Sequence, residues 1–232
     1  MKGIDFMDNL FTPDEFINAI RDTLPNAINE KKLPANMEIP FNHATSYIIK
    51  SGTIAGYISR DIESKSSQLY SFFSKGDFIL FGQVFDDFSG MTFETLAPTS
   101  VYSIKQKDLQ YLLHFPENSP FLYYIMKRFG VHYYLKSHLS MRVKENVLIQ
   151  AIFNICFLRH PDLKEFDRLL TLPKEYTASR IKEYSTLSQA GFYKHLKHAY
   201  EQKLLLKSEV GLQVDLERME ELYPSTIPKK AF

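Results

Sequence analysis

The sequence predicts an α+β fold, in which a strand-rich region is followed by a long helix and a smaller helical module. Three observations carry this. Residues 35–107 fall into short apolar stretches separated by Asn, Gly, Asp and Ser. Residues 121–139 keep helical spacing of apolar side chains over several turns. Residues 176–214 read as two short helices joined by a tight turn and closed by a hairpin. With 232 residues, 44% hydrophobic and 14% aromatic, the chain can build one large or two modest domains around real cores.

The first helix is announced by Thr12-Pro13-Asp14-Glu15, a capping box with Pro at the first helical position, and by Phe11 and Phe16 as its hydrophobic staple. Pro25 and Pro34 end that region. The stretches MEIPF, SYIIKSGTIAGYIS, QLYSFFS, DFILFGQVF, MTFETLA and SVYSIK then predict a sandwich or barrel of short strands. Asp108 begins a short helix over 109–114, and Pro116-Glu117-Asn118-Ser119-Pro120 breaks the chain before the long helix. On that helix Leu122, Ile125 or Met126, Phe129, Tyr133 and Leu139 form a stripe that Lys136 interrupts. One small domain cannot cover so long a stripe, so Leu122, Ile125, Phe129 and Tyr133 are expected to form the seam of a parallel homodimer. A further helix over 143–158 turns Val147, Leu148, Ala151, Ile152 and Ile155 toward a second core, and His160-Pro161-Asp162 ends it. The expected organisation is a strand domain with its N-terminal helix over 1–115, a linker helix over 116–142, and a helical domain with a C-terminal helix over 143–223.

In the last of these, Thr177 is placed to cap a helix whose inward positions are Ile181 and Tyr184. Ser188, after the linker Ser185-Thr186-Leu187, is placed to cap a second helix that starts at Gln189 and turns Phe192, Leu196 and Ala199 inward. Residues 204–207 and 212–214 form a hairpin, with Gly211 supplying positive φ. This succession is a winged helix-turn-helix, which implies DNA binding. Gln189, Ala190, Tyr193 and Lys194 then face base edges, with Gln189 suited to adenine and Lys194 to guanine. Thr177, Ser179, Ser188, Lys197 and Lys207 are expected on phosphates. Two residues depart from the usual pattern. Lys182 stands where close helix crossing favours Ala or Gly, and must snorkel. Thr186 stands where the turn usually has Gly, and fits only if the turn avoids strongly positive φ. An amphipathic helical pair that packs on another protein is the competing reading.

Charge and cysteine usage narrow the function classes. Lys and Arg number 28 against 27 acidic residues, so DNA contact must come from local charge. Within 172–214, seven basic residues face four acidic ones. The single cysteine, Cys156, excludes an intrachain disulfide and a cysteine-ligated iron–sulfur cluster within one chain, and its apolar neighbours predict a buried thiol. No apolar run approaches ~18 residues and no signal-peptide core opens the chain, so a cytoplasmic protein without membrane contact is expected. There is no Gly-rich phosphate loop, metal-ligand spacing or nucleophile elbow, and no enzyme or cofactor is expected.

The order of strand domain, long helix and winged helix-turn-helix resembles the Crp/Fnr family of bacterial transcription regulators. Tyr47-Ile48-Ile49-Lys50-Ser51-Gly52 and Lys75-Gly76-Asp77-Phe78 resemble the strands and turns of the family's cyclic-nucleotide-binding β-roll. Val101-Tyr102-Ser103-Ile104 and residues 109–115 resemble its exit strand and short helix. The resemblance runs from about 35 to 214 and implies a β-roll, a dimerisation helix and a near-palindromic double-stranded DNA operator, with RNA polymerase as a further partner. Nucleotide-binding members place Gly-Glu and Arg-Ser pairs after the Lys-Gly-Asp turn. Here residues 80–92 lack them, and no Arg occurs between Arg60 and Arg128, so a cyclic phosphate would be left without a guanidinium. The chain is closest in character to the branch without cyclic-nucleotide binding, the glutathione-responsive virulence regulators. That branch implies a small-molecule or peptide effector near Phe72, Phe73, Tyr123, Tyr124 and Cys156. Operator, effector and the sense of regulation stay open, as does a signalling or scaffolding role in which the winged helix binds protein.

Overall fold

The computed structural model describes residues 13–40, 44–59, 67–79, 91–142, 144–160 and 169–224. The cap and staple at Thr12 and Phe11, the cassette over 80–90 and the Pro161-Asp162 break lie outside the described residues. The chain divides into two compact units: Met1–Lys65 with Phe72–His132, and Ser66–Ser71 with Tyr133–Phe232.

The first unit contains helix α1 (Pro13–Thr23) and the strands of two four-stranded sheets, apart from residues 67–71, which fall in the second unit. One sheet has the order β1-β8-β3-β6, from β1 (Ile28–Leu33), β3 (Thr45–Ser51), β6 (Phe78–Ile79) and β8 (Thr99–Lys105). The other has the order β2-β7-β4-β5, from β2 (Glu38–Ile39), β4 (Ile54–Ser59), β5 (Ser67–Phe73) and β7 (Met91–Thr95). Strand β1 falls in a stretch with no strand signal, because Ile-Asn-Glu-Lys-Lys-Leu offers no apolar alternation. It pairs antiparallel with β8 from Ile28 opposite Ile104 to Leu33 opposite Thr99. A Lys- and Glu-rich strand suits the edge it occupies, where charge deters pairing with other chains.

Helix α1 supplies Phe16, Ile17 and Ile20 to a core shared with Ile48, Phe78, Tyr102 and Ile104 of the first sheet. Leu109 and Leu112 of α2 (Gln106–Leu113) and Phe121 and Ile125 of α3 (Ser119–Ser140) complete it. The Phe16 and Phe121 rings lie 4.7 Å apart. Ile125 is fully buried here and Phe129 packs against the same core, which corrects the expected seam. The exposed apolar side chains of this part of α3 are Leu122, Tyr123 and Met126.

The Lys-Gly-Asp turn is fixed by the backbone and by a buried ion cluster. Gly76 has φ of 87° and donates to Ile49 O at 2.9 Å. Asp77 Oδ2 accepts from Ser74 N at 2.7 Å. Its Oδ1 meets Arg128 Nε at 2.8 Å and His132 Nε2 at 3.1 Å, both from α3. His132 also stacks on Phe73 with centroids 4.4 Å apart.

In the second unit, α4 (Val147–Arg159) is buried from Val147 to Leu158, as a helix apolar all round must be. The two amides of its buried stretch are hydrogen-bonded: Gln150 Nε2 donates to Asn154 Oδ1, and Asn154 Nδ2 to Leu135 O toward the end of α3. Around it stand α5 (Ala178–Ser185), α6 (Gln189–Glu201), α7 (Leu216–Leu222) and a sheet of order β10-β11-β9. The strands are β9 (Leu169–Pro173), β10 (Leu205–Ser208) and β11 (Gly211–Asp215). Gly211, at φ of 153°, is required by close approach: a Cβ there would collide with Leu172 O of the neighbouring strand.

Candidate nucleic-acid interface

The interface is built on α5, the turn after it, α6 and the β10–β11 hairpin. Thr177 is the N-cap of α5 and its hydroxyl oxygen accepts from Arg180 N at 3.3 Å. Ser188 is the N-cap of α6 and accepts from Gly191 N at 3.2 Å. In each, the hydroxyl proton stays available to a phosphate oxygen, and the N-terminal dipole favours an anion at the same place. Inside the pair, Ile181, Tyr184, Phe192 and Ala199 are buried, while Leu196 is half-buried.

The turn is a left-handed one, contrary to the expectation for a β-branched residue. Thr186 takes φ of 60° and ψ of 14°, and its N–H donates to Glu183 O at 3.3 Å. The conformation is imposed by the packing of Ile181 and Tyr184 on one side and Phe192 on the other, which leaves only three residues between helices. Lys182 is half-buried and its carbonyl accepts from Ser185 Oγ at 2.8 Å.

Gln189, Ala190, Tyr193 and Lys194 are all exposed on the first two turns of α6, with Tyr193 52% accessible. Thr177, Ser179, Ser188, Lys197 and Lys207 are exposed as well. Lys197 Nζ lies 3.8 Å from Glu201 Oε1, and Lys207 Nζ lies 5.8 Å from the Tyr200 ring centre. These are loose surface contacts that a phosphate can displace. The hairpin exposes Leu206 and Val210.

Three of the five residues expected around an effector are buried. Phe72, Phe73 and Cys156 are buried in the cores of their own units, Tyr124 donates to Gly76 O at 3.2 Å, and Tyr123 is exposed. Burial pushes the Cys156 thiol up to about 12. Among the described residues no group of three or more His, Cys, Asp and Glu could hold a metal ion, and no helix is long and apolar enough to cross a membrane.

Two polar constellations have no counterpart in the motifs read from the sequence. One is the Asp77, Arg128 and His132 cluster, whose only signal is an Arg and a His four residues apart on one helix. The other is Lys136, which breaks the α3 stripe because it points inward to the carbonyls of Leu69 and Tyr184.

No protein-family model matches the chain, and no curated protein matches its sequence. Solved structures do match its fold. A cyclic nucleotide-binding domain containing protein from Listeria monocytogenes EGD-e is similar at a TM-score of 0.70 and 16% identity, over 88% of this chain and 97% of that one. FixK2 from Bradyrhizobium japonicum is similar at 0.64 and 17% identity, over 88% and 99%. A transcriptional regulator of the Crp/Fnr family from Thermus thermophilus is similar at 0.63 and 13% identity, over 86% and 100%. The chain therefore has the cyclic-nucleotide-binding-domain fold with mixed helices and antiparallel sheets that Crp/Fnr regulators share.

Proposed function

We propose that the protein is a homodimeric, sequence-specific DNA-binding transcription regulator of the Crp/Fnr type. α5, α6 and the β10–β11 hairpin act as its winged helix-turn-helix. The observation that carries this reading is the exposed set Gln189, Ala190, Tyr193 and Lys194 on the first turns of α6, flanked by the capping hydroxyls of Thr177 and Ser188. Bidentate amide and ammonium groups at the start of a helix are what a major-groove edge accepts, and exposed hydroxyls and lysines around them suit phosphates.

The partner at α3 is a second copy. Leu122, Met126, Gly130 and Tyr133 follow one another at spacings of four, four and three residues, so they share a face, and all are exposed. A Cβ on Gly130 would meet nothing within 4 Å, although a mid-helix glycine costs ~1 kcal/mol. A bare helix surface between apolar side chains suits close approach of another helix. Two recognition helices in such a dimer would span half-sites ~34 Å apart and select a near-palindrome. In this reading RNA polymerase is a further partner. Cyclic AMP is not the effector, because the cassette over 80–92 lacks an arginine for the phosphate.

A second reading, a protein-interaction module, is favoured by Leu206 and Val210, which leave the hairpin surface partly apolar. One experiment separates the two: selection of duplexes from a random pool by the purified chain, then titration of the selected duplex at several salt concentrations. A selected near-palindrome with steep salt dependence supports the regulator. No enrichment over input, from a folded protein, gives the lead to the interaction module.

A further inference from the structure

Among the described residues strand β5 is the last strand of its sheet, with no strand neighbour on one side. The N–H and C=O of a single strand residue point to the same side. At Leu69, which is fully buried, both are met by side chains instead. The N–H donates to Glu183 Oε1 at 3.2 Å, and the carbonyl accepts from Lys136 Nζ at 3.0 Å. The same ammonium donates to Tyr184 O at 2.9 Å and lies 4.5 Å from the centre of the Tyr184 ring.

Tyr184 is the next-to-last residue of α5, one of the carbonyls that a helix C-terminus leaves without an intrahelical donor. Ser185 Oγ satisfies Lys182 O and Thr186 N satisfies Glu183 O. Lys136 serves the third of these carbonyls from a different helix, with a positive charge at the negative end of the α5 dipole. The next residue but one is Thr186 in its left-handed conformation, which a β-branched residue keeps only when its surroundings hold it.

We propose that Lys136 is a positioning residue for DNA binding: it holds the end of α5 and the strained turn in the conformation that presents α6, and ties that conformation to the backbone of Leu69. The inference rests on the regulator reading above. Burial lowers the Lys136 ammonium to about 8, against the pull of Glu183, so a charge is kept here at a cost that an apolar side chain would not carry.

The test uses the full chain, a fluorescein-labelled duplex selected by the wild type, and anisotropy titration beside far-UV circular dichroism. Lys136→Met keeps the stem and removes every donor. It is expected to stay folded and to bind the duplex roughly tenfold more weakly, while Lys136→Arg, which keeps donors and charge, returns to within roughly threefold. A folded Lys136→Met that binds as the wild type does overturns the proposal, as does failure of Lys136→Arg to recover affinity while folded. If Lys136→Met does not fold, Glu183→Ala takes its place, since it removes the acceptor of the Leu69 N–H and the charge that opposes Lys136 while leaving the ammonium; unchanged affinity in that variant is equally adverse. If the wild type selects no duplex, the regulator reading has failed, and amide exchange decides the clasp alone. Faster exchange at Leu187 and Ser188 in either variant upholds the clasp, and unchanged exchange removes it.

Discussion

Arg128 and Asp77 form an ion pair in which Nε donates to Oδ1 at 2.8 Å and Nη2 stands 2.6 Å from the same oxygen. Their side chains are 10% and 1% exposed, so neither charge can turn to water if the other is removed. Arg128→Ala is therefore expected to destabilise the protein by ~3–5 kcal/mol, read from urea unfolding. Burial alone would raise the Asp77 carboxyl, but His132, Arg128 and the Ser74 N–H outweigh it and hold it below the ordinary carboxylate range. A lowered folded pKa adds stability above the unfolded value, ~3.9, and that stability is lost as pH falls through the folded one. Acid unfolding should accordingly begin below about pH 4 at this cluster.

Lys136 has the same sign of slope but an opposite cause, since here burial outweighs the partner and folding disfavours the charged form. Its ammonium is lowered to about 8 by burial, with Glu183 as the opposing charge. The unfolded chain holds the proton up to ~10.4, so between the two values the unfolded state binds more protons and stability rises with pH. The expected rise from pH 8 to pH 10 is on the order of 2 kcal/mol, and Lys136→Met should flatten it. A stability that falls across this interval in the wild type but not in the variant would contradict the assignment.

Thr186 offers a stabilising change. Its φ of 60° places a β-branched side chain against its own backbone. Relief of that strain by Thr186→Gly is expected to gain roughly 1 kcal/mol, offset in part by the freedom glycine adds to the unfolded chain. A raised thermal midpoint is the readout.

On DNA, Gln189→Ala should cost ~1–3 kcal/mol and relax preference at one base pair of the selected duplex. Lys197→Ala should weaken all sequences alike and lower the salt slope by about one. Equal, sequence-independent losses in both variants would mean that α6 does not read bases.

Much of this arrangement is visible in local signals. Thr177 and Ser188 cap the helices that their positions imply, because a cap is a matter of three neighbouring residues. The strands from β3 to β8 follow apolar stretches bounded by turn residues. What local pattern cannot report is partnership at long range. Ile125 and Leu122 share one stripe, yet the first is claimed by α1 and the sheet and the second is left to solvent. The polar strand β1 and the short β9 gain their hydrogen bonds from β8 and β11 and have no strong signal of their own. Thr186 shows the same limit: helix packing decides its φ, overriding the residue's preference. Lys136 looks like a flaw in an apolar stripe until the carbonyls of Leu69 and Tyr184 are placed beside it.

Cys156 is the chain's one cysteine; it sits fully enclosed in the middle of α4 with its thiol pushed up to about 12. A thiol reagent reacts with thiolate, so in the folded protein it has neither access nor a nucleophile to meet. Labelling must wait for the second core to open. The protein thus carries a built-in clock: the rate at which Cys156 is consumed by excess reagent reports how often this core opens, with no introduced probe and no denaturant.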